Sequence, residues 1–477
     1  MKKILAAALL WLLPISAADH LAQKPQSKQV VFTHVTVIDV TGGPASSDMT
    51  VIITGDRISE IVKTATVSMP KDAVVVDATG KFLIPGLWDM HIHWYLKDYL
   101  PLFIANGVTG VRQMWGMPMH HQWRKEMESG TLLGPRQVIA SPIVDGPKAV
   151  WPGSVSVSNE AEARQAVIKA RQDGADFIKV YSRLTRDAFF AIADETNKLG
   201  ISYAGHIPQS VTAAEASDAG QKSVEHLTGI LSACSSREDE LRKASEAAVA
   251  NLSPGQMPNV GEIRKLSRSM LESYSIEKAA ALFARFKKNQ TWQCPTLTVN
   301  RSTAFLDDKK FRDDPRLKYM PAQIRNQWDP TTDFRFKSRT AEDFELARMV
   351  YAKQHELIGQ MQRAGVGFLA GTDVLNPYCF PGFSLHDELV LLVSAGFTPM
   401  EALQTATLNP ARFLGKEKEL GTVEKGKLAD LVLLDGNPVQ DIANTQRIDA
   451  VVVAGKLINK SELQRMLTTI EATANRK

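Results

Sequence analysis

Cysteine is scarce: Cys234, Cys294 and Cys379 are the only three in 477 residues, widely separated and never in a Cys-x-x-Cys pair. That spacing argues against a thiolate zinc site. An odd count leaves at least one thiol free or paired between chains, and isolated buried thiols are expected. An excess of charge is also missing. Lysine and arginine number 56 against 52 aspartates and glutamates, a formal net charge of +4, which points to neither nucleic acid nor an anionic membrane surface as a partner. No glycine-rich phosphate loop follows the first strand of the α/β region, which argues against a dinucleotide-binding sheet. There is no internal repeat and no low-complexity segment. Past the N-terminus no long apolar run occurs, so no membrane anchor is expected in the processed chain. What remains is ordinary globular composition, 44% hydrophobic and 23% charged, with length for one large domain and a smaller one.

The first residues read as an export signal. Lys2 and Lys3 form a short basic region, residues 4–15 an apolar stretch too short to span a bilayer comfortably, and Ser16-Ala17-Ala18 a small-residue cleavage site. Residues 1–18 are expected to be removed, leaving a nearly neutral chain in the periplasm or outside the cell.

Short β-rich runs follow at 30–40, 50–53, 58–61 and 73–76, separated by turns such as Thr41-Gly42-Gly43-Pro44. They make half of an all-β module, because the sequence changes character at Pro85-Gly86. From there strands and amphipathic helices alternate. Strands are expected at 87–94, 108–114, 137–144, 176–181, 202–207, 223–227, 291–298 and 367–373, and the clearest helices at 160–172, 186–199 and 341–364. Eight β-then-α units in one run predict an α/β fold, a (β/α)8 barrel of the TIM type over residues 86–415. The tail returns to β character at 431–434 and 448–453. Residues 19–85 and 416–477 are therefore expected to complete a small composite β-sandwich, since neither part has enough strands alone. Two connections, 228–273 and 300–340, are too long for plain loops. Both would emerge at the C-terminal mouth of the barrel, as a lid or a substrate-binding rim.

Barrel enzymes collect their reacting groups from the C-terminal ends of different strands. His91 and His93 alternate along the first strand and so share a face, where two imidazoles can hold one divalent metal ion. Lys179, His206, His226 and Asp373 each stand late in an apolar strand, as in Phe177-Ile178-Lys179-Val180 and Leu369-Ala370-Gly371-Thr372-Asp373. Each has a bland explanation taken singly. Lys179 would lay its stem on apolar surface with its head in water, a lone buried histidine would be a satisfied core residue, and Asp373 would cap a helix. Six such residues at the strand ends of one barrel converge on a metal site.

These residues lie in segments that resemble the amidohydrolase superfamily, specifically its imidazolonepropionase-like branch. The matching pieces are Pro85-Gly86-Leu87-Trp88-Asp89-Met90-His91-Ile92-His93, Ile178-Lys179-Val180-Tyr181, Gly205-His206, Glu225-His226-Leu227 and Ala370-Gly371-Thr372-Asp373. Further matches are Ser384-Leu385-His386-Asp387-Glu388-Leu389, Ala406-Thr407-Leu408-Asn409-Pro410-Ala411 and Gly421-Thr422-Val423-Glu424-Lys425-Gly426-Lys427-Leu428-Ala429-Asp430-Leu431. The resemblance implies a barrel flanked by a composite β-sandwich and two divalent metal ions, zinc by default for these donors. It implies that His91, His93 and Asp373 hold one ion and His206 and His226 the other, with Lys179 bridging them as a carbamate. Carboxylation needs a neutral amine, which a dry pocket beside cations favours. The implied reaction is amide hydrolysis by a hydroxide shared between the ions, Asp373 carrying the proton to the leaving amine. His386 has no partner motif that makes it a ligand and is expected to be a helix residue or to contact a ligand's neighbours.

The substrate is less legible. The branch resembles Xaa-Pro-type dipeptidases and ochratoxin-type amidohydrolases, which cleave an amide beside a free carboxylate; a dipeptide or another small molecule is the expected partner. Tyr181, two residues past Lys179, is the candidate catalytic contact to the substrate carbonyl or carboxylate. Arg112 and Arg183 are candidate carboxylate clamps, with structural ion pairing as the alternative. Trp94, Trp115 and Trp151 either line an apolar pocket or pack. The second strand carries Gln113 where relatives often have an acidic residue. Two other readings stay open: a mononuclear cyclic amidase or deaminase, and a non-catalytic binding protein. His206 is followed by Ile207-Pro208-Gln209-Ser210, without the glutamate deaminases use there, and no ligand is missing. A homo-oligomer is also left open.

Overall fold

The computed structural model describes residues 29–66, 68–333 and 335–476, so the expected export signal lies outside the described residues. Strands β1 (Val30–Val37), β2 (Ser46–Thr54) and β3 (Arg57–Lys63) form an antiparallel meander. The first half of β1 also takes β4 (Val74–Asp77) in parallel, and its end takes β5 (Phe82–Pro85). A break in register between Phe32 and Val35, with His34 at φ 56, bends β1 so that it serves both partners.

The barrel strands begin one residue after β5. β6 (Leu87–Ile92), β7 (Val108–Gln113) and β8 (Arg136–Ile139) make one parallel sheet. β9 (Val144–Asp145), β10 (Val155–Ser156), β11 (Phe177–Val180), β12 (Ser202–Gly205), β13 (Ser223–Glu225) and β14 (Trp292–Cys294) make a second. A parallel bridge from Ala140 to Phe177 links the two. Residues 367–374 stand between β14 and β6, bridged to Gln293 through Phe368 and to Ile92 through Val374. The Met90 amide donates to Ala370 and the Asp373 amide to His91, both at 2.8 Å. The result is a TIM-like α/β barrel whose ladder is interrupted at these joints. Pro142 explains one of them, since it ends pairing inside the strand expected at 137–144. β6, β7 and β11 are buried on both faces, as parallel strands under helices must be.

The helices Glu160–Gln172, Arg186–Leu199 and Ala341–Ala364 end where the periodicity placed them. Asn159, Thr185 and Thr340 cap their first turns, and Gly200 and Gly365 close the second and third in the left-handed conformation. Past the barrel, β15 (Leu431–Leu434), β16 (Ile448–Val453) and β17 (Lys456–Asn459) precede a helix at Lys460–Ala474. β15 pairs antiparallel with β5, so both ends of the chain share one eight-stranded sheet. Its hydrogen bonding is a single branched sheet and does not divide the strands into the two facing layers of the expected sandwich. The two long connections fold into short helices that meet the barrel mouth. Arg183 donates to the Gln256 carbonyl of the first, and in the second Trp328 donates to Leu375, just past Asp373, at 3.2 Å.

Candidate metal centre

The six expected ligands arrive at one place. The ring centroids of His91 and His93 are 5.1 Å apart, of His91 and His226 4.5 Å, and of His206 and His226 5.0 Å. Asp373 Oδ1 lies 3.4 Å from His91 Nε2 and 3.2 Å from His93 Nε2, and its Oδ2 lies 3.7 Å from His226 Nδ1. Backbone shape contributes: Asp373 and His226 hold φ of 57 and 58, which non-glycine residues adopt at a cost of roughly 1–3 kcal/mol. Gly371 lets the Asp373 segment close on β6, because a Cβ there would stand 2.8 Å from that of His91.

Three of the four histidines are oriented by a partner outside the cluster. His91 Nδ1 meets Glu225 Oε2 at 2.7 Å, His206 Nδ1 meets Ser182 Oγ at 2.8 Å, and His226 Nδ1 meets Thr296 Oγ1 at 2.7 Å. A carboxylate only accepts, so His91 carries its proton on Nδ1 and offers the Nε2 lone pair. Burial holds all three rings below the ordinary imidazole value, His226 at about 4, with the charge of Lys179 adding to the effect. They are neutral donors at physiological pH. Asp373 is pushed up by burial but more than brought back by His226, His93 and Lys179, so it stays an anion.

Lys179 is wholly buried and its Nζ has no hydrogen-bond partner among the described residues. Burial lowers its pKa to about 8 against the opposing pull of Glu225 and Asp373. An uncompensated ammonium in the interior is costly, so the position suits a neutral or chemically modified amine. With an orphaned amine, an orphaned Nδ1 on His93 and converging neutral imidazoles, the donor set fits divalent metal ions. Among the described residues, His91, His93 and Asp373 form one group with metal-ligand spacing, and His91, Glu225 and Cys294 another. In the second, Glu225 is already engaged by Arg112 and burial drives the Cys294 thiol far up, so the first is the better site.

Residues 82–458 match the profile of the amidohydrolase family. The chain belongs to that family. An imidazolonepropionase of Shouchella clausii is 37% identical over 102 residues, 20% of this chain and 23% of the relative, so the match spans under a quarter of that protein. A bottromycin amidohydrolase shares the fold with a TM-score of 0.74 at 23% identity, covering 95% of this chain and 91% of the other. A Xaa-Pro dipeptidase with bound methionine does so at 0.65 and 21% identity, covering 91% and 100%.

Not every expected site residue of this amidohydrolase faces the centre. Arg112 is wholly buried, and its guanidinium is spent on the Met90 carbonyl (2.6 Å), Ser223 Oγ (3.0 Å) and both oxygens of Glu225 (2.9 and 3.0 Å). It therefore braces the carboxylate that orients His91, and the clamp role does not fit its placement. Arg183 is turned to the Lys148 carbonyl at 2.6 Å and to that of Gln256, which ties the first insertion down. Tyr181 stacks on His206 with centroids 4.0 Å apart, and its hydroxyl accepts from Trp151 Nε1 at 2.8 Å. Burial raises its pKa, so it remains a proton donor. Trp115 stands edge-on to His93 at 6.4 Å, whereas Trp94 is core, donating to the Leu96 carbonyl. Gln113 accepts from the Trp94 amide and donates to its carbonyl, a double contact no carboxylate makes. That explains the amide at this position. His386 is a buried helix residue away from the ligands. All three cysteines are buried and unpaired.

Sequence reasoning missed Asp89, whose carboxylate accepts from the Thr372 amide (3.0 Å) and hydroxyl (2.6 Å) and so fixes the turn before Asp373. The signal was present: Asp89, His91 and His93 follow the same alternation. Glu225 carried none, because the partners that define its role, His91 and Arg112, come from strands distant in the chain.

Proposed function

We propose that this amidohydrolase is an exported, binuclear metal-dependent enzyme that cleaves an amide next to a free carboxylate, in a dipeptide or an N-acyl amino acid. The observation that carries the reading is Lys179. Its buried amine finds no hydrogen-bond partner among the described residues, and burial lowers its pKa to about 8. It gives up its proton far more readily than an ordinary lysine. Once neutral it is suited to combine with carbon dioxide, losing one further proton and becoming a carbamate whose two oxygens share one negative charge. His91, His93 and Asp373 would hold one ion, His206 and His226 the other, and the Lys179 carbamate both. Once bound, two divalent ions would lower the pKa of a shared water and polarise the scissile carbonyl. Asp373 takes the proton released in attack at its carboxylate and returns it to the departing amine. Tyr181 donates its hydroxyl proton in a hydrogen bond to the substrate, held in place by the His206 stack and by Trp151. The insertions over the mouth exclude water.

The substrate carboxylate falls to Arg335, on the second insertion. Asp333 pins its Nε and Nη2, its Nη1 donates to Asn376 Oδ1 at 2.8 Å, and the guanidinium lies 6.0 Å from the centroid of the Trp151 ring, beside Tyr181. The test is a panel of dipeptides and N-acyl amino acids, each assayed as free acid and as C-terminal amide. Free acids should turn over, with amidation raising KM for wild type but hardly for Arg335→Met; an equal penalty in both removes Arg335 from the role. The stretch shared with an imidazolonepropionase favours one second reading, a mononuclear cyclic amidase, which one ion per chain and turnover of cyclic amides would support.

A further inference from the structure

Glu388 belongs to a motif that the chemistry above leaves unused. It sits in the helix Phe383–Ser394, wholly buried, with no lysine or arginine in ion-pairing distance among the described residues. Its oxygens accept from two successive amides, Leu297 N at 2.9 Å and Thr298 N at 2.8 Å. Those amides open the helix Leu297–Ala304, and Thr296 before it is held at φ 48, a conformation a β-branched residue rarely adopts. Burial raises the Glu388 pKa to about 8 against the pull of these two amides, and a left-handed threonine is strained; the paired amide contacts fix the carboxyl group and the turn at Thr296 together.

The consequence falls on a ligand. Thr296 Oγ1 is 2.8 Å from the Pro295 carbonyl and 2.7 Å from His226 Nδ1. A hydroxyl has one proton, and a carbonyl only accepts. Both contacts are hydrogen bonds only if the proton goes to Pro295 and the oxygen accepts from Nδ1–H. His226 then keeps its lone pair on Nε2.

We propose that Glu388 is a positioning residue, which through the Leu297 and Thr298 amides holds Thr296 where its hydroxyl selects the Nδ1–H tautomer of His226 and leaves the Nε2 lone pair to serve a metal ion. This rests on the metal reading above, but the tautomer itself is set by the protein alone. A buried helix carboxylate some ninety residues further along the chain thereby reaches the centre without touching it.

The full chain, labelled with nitrogen-15 and stripped of metal by chelation, gives the tautomer of each ring through long-range proton–nitrogen correlations; His226→Gln assigns the signal. Wild type and Thr296→Ser should show Nδ1–H at His226. Thr296→Val and Glu388→Gln should lose that preference, and cobalt(II) titration followed by absorbance should show affinity reduced by roughly 10–100-fold. Glutamine supplies one acceptor where two amides point, so the substitution breaks one contact while keeping size. Should Glu388→Gln fail to fold, Glu388→Asp is read in its place and should lie between. An Nε2–H ring in wild type, or Glu388 variants with unchanged tautomer and cobalt affinity, would overturn the proposal. A wild-type Nδ1–H ring in a protein that takes up no cobalt would leave the positioning intact and sink the metal reading.

Discussion

Replacing Arg112 with Met tests whether that residue supports the fold or the substrate. Arg112 and Glu225 are both wholly buried and joined by two bonds of 2.9 and 3.0 Å. Met keeps most of the volume but removes every donor, leaving the Glu225 charge uncompensated in the interior. Losing one partner of a buried pair costs about 3–5 kcal/mol. With an unfolding entropy near 2.1 cal/mol/K per residue, a chain of this length has roughly 1 kcal/mol/K, so Tm should fall by about 3–5 °C. The measurement is urea unfolding by circular dichroism together with a thermal scan. Adding Glu225→Gln to Arg112→Met should recover part of the loss, because the stranded charge is removed. A single variant within about 1 kcal/mol of wild type, with KM raised only for substrates bearing a free carboxylate, would refute the bracing role and return Arg112 to the substrate.

Acid should act through His386, whose Nε2 meets the Asn106 carbonyl at 3.1 Å and whose Nδ1 meets Thr445 Oγ1 at 2.9 Å. Burial lowers its pKa from 6.5 to about 4. The unfolded state binds the proton first, so this contribution is present above about 6.5 and is lost as pH falls toward 4, by roughly 3 kcal/mol in all. The difference in stability between wild type and His386→Asn should shrink over that window; a difference independent of pH would rule the group out as an acid trigger. Gly205 holds φ 143, and a Cβ there would stand 2.1 Å from the Val180 carbonyl oxygen. Gly205→Ala should therefore push β12 from β11, costing roughly 2–4 kcal/mol and lowering metal content, since Lys179 and His206 ride on those strands; wild-type unfolding and metal content would contradict the close packing.

The candidate ligands were more legible in the chain than the residues that support them. His91, Lys179, His206 and Asp373 stand out because a polar residue at the end of an apolar parallel strand has few reasons to be there except the mouth of a barrel. The helices at 160–172 and 186–199 were legible from their amphipathic spacing. The pairing of Arg112 with Glu225 was not, because it joins side chains 113 residues apart and leaves no local pattern. β5 was hidden by its position, four residues ending in Pro85 and running without a turn into β6. The interrupted ladder at 367–374 was read as an ordinary strand, since apolar composition does not reveal where backbone pairing stops. Arg335 looked like one more charge in a polar insertion until the fold brought it beside Trp151.

The central claim is a pair of metal ions joined through Lys179, and metal content per chain measures it most directly. Protein expressed with bicarbonate and the chosen divalent metal, then freed of loose ions, should carry two per chain, and Lys179→Ala should carry one or none until a short carboxylic acid is supplied in place of the carbamate. One ion per chain in wild type, unchanged in Lys179→Ala, would contradict the account.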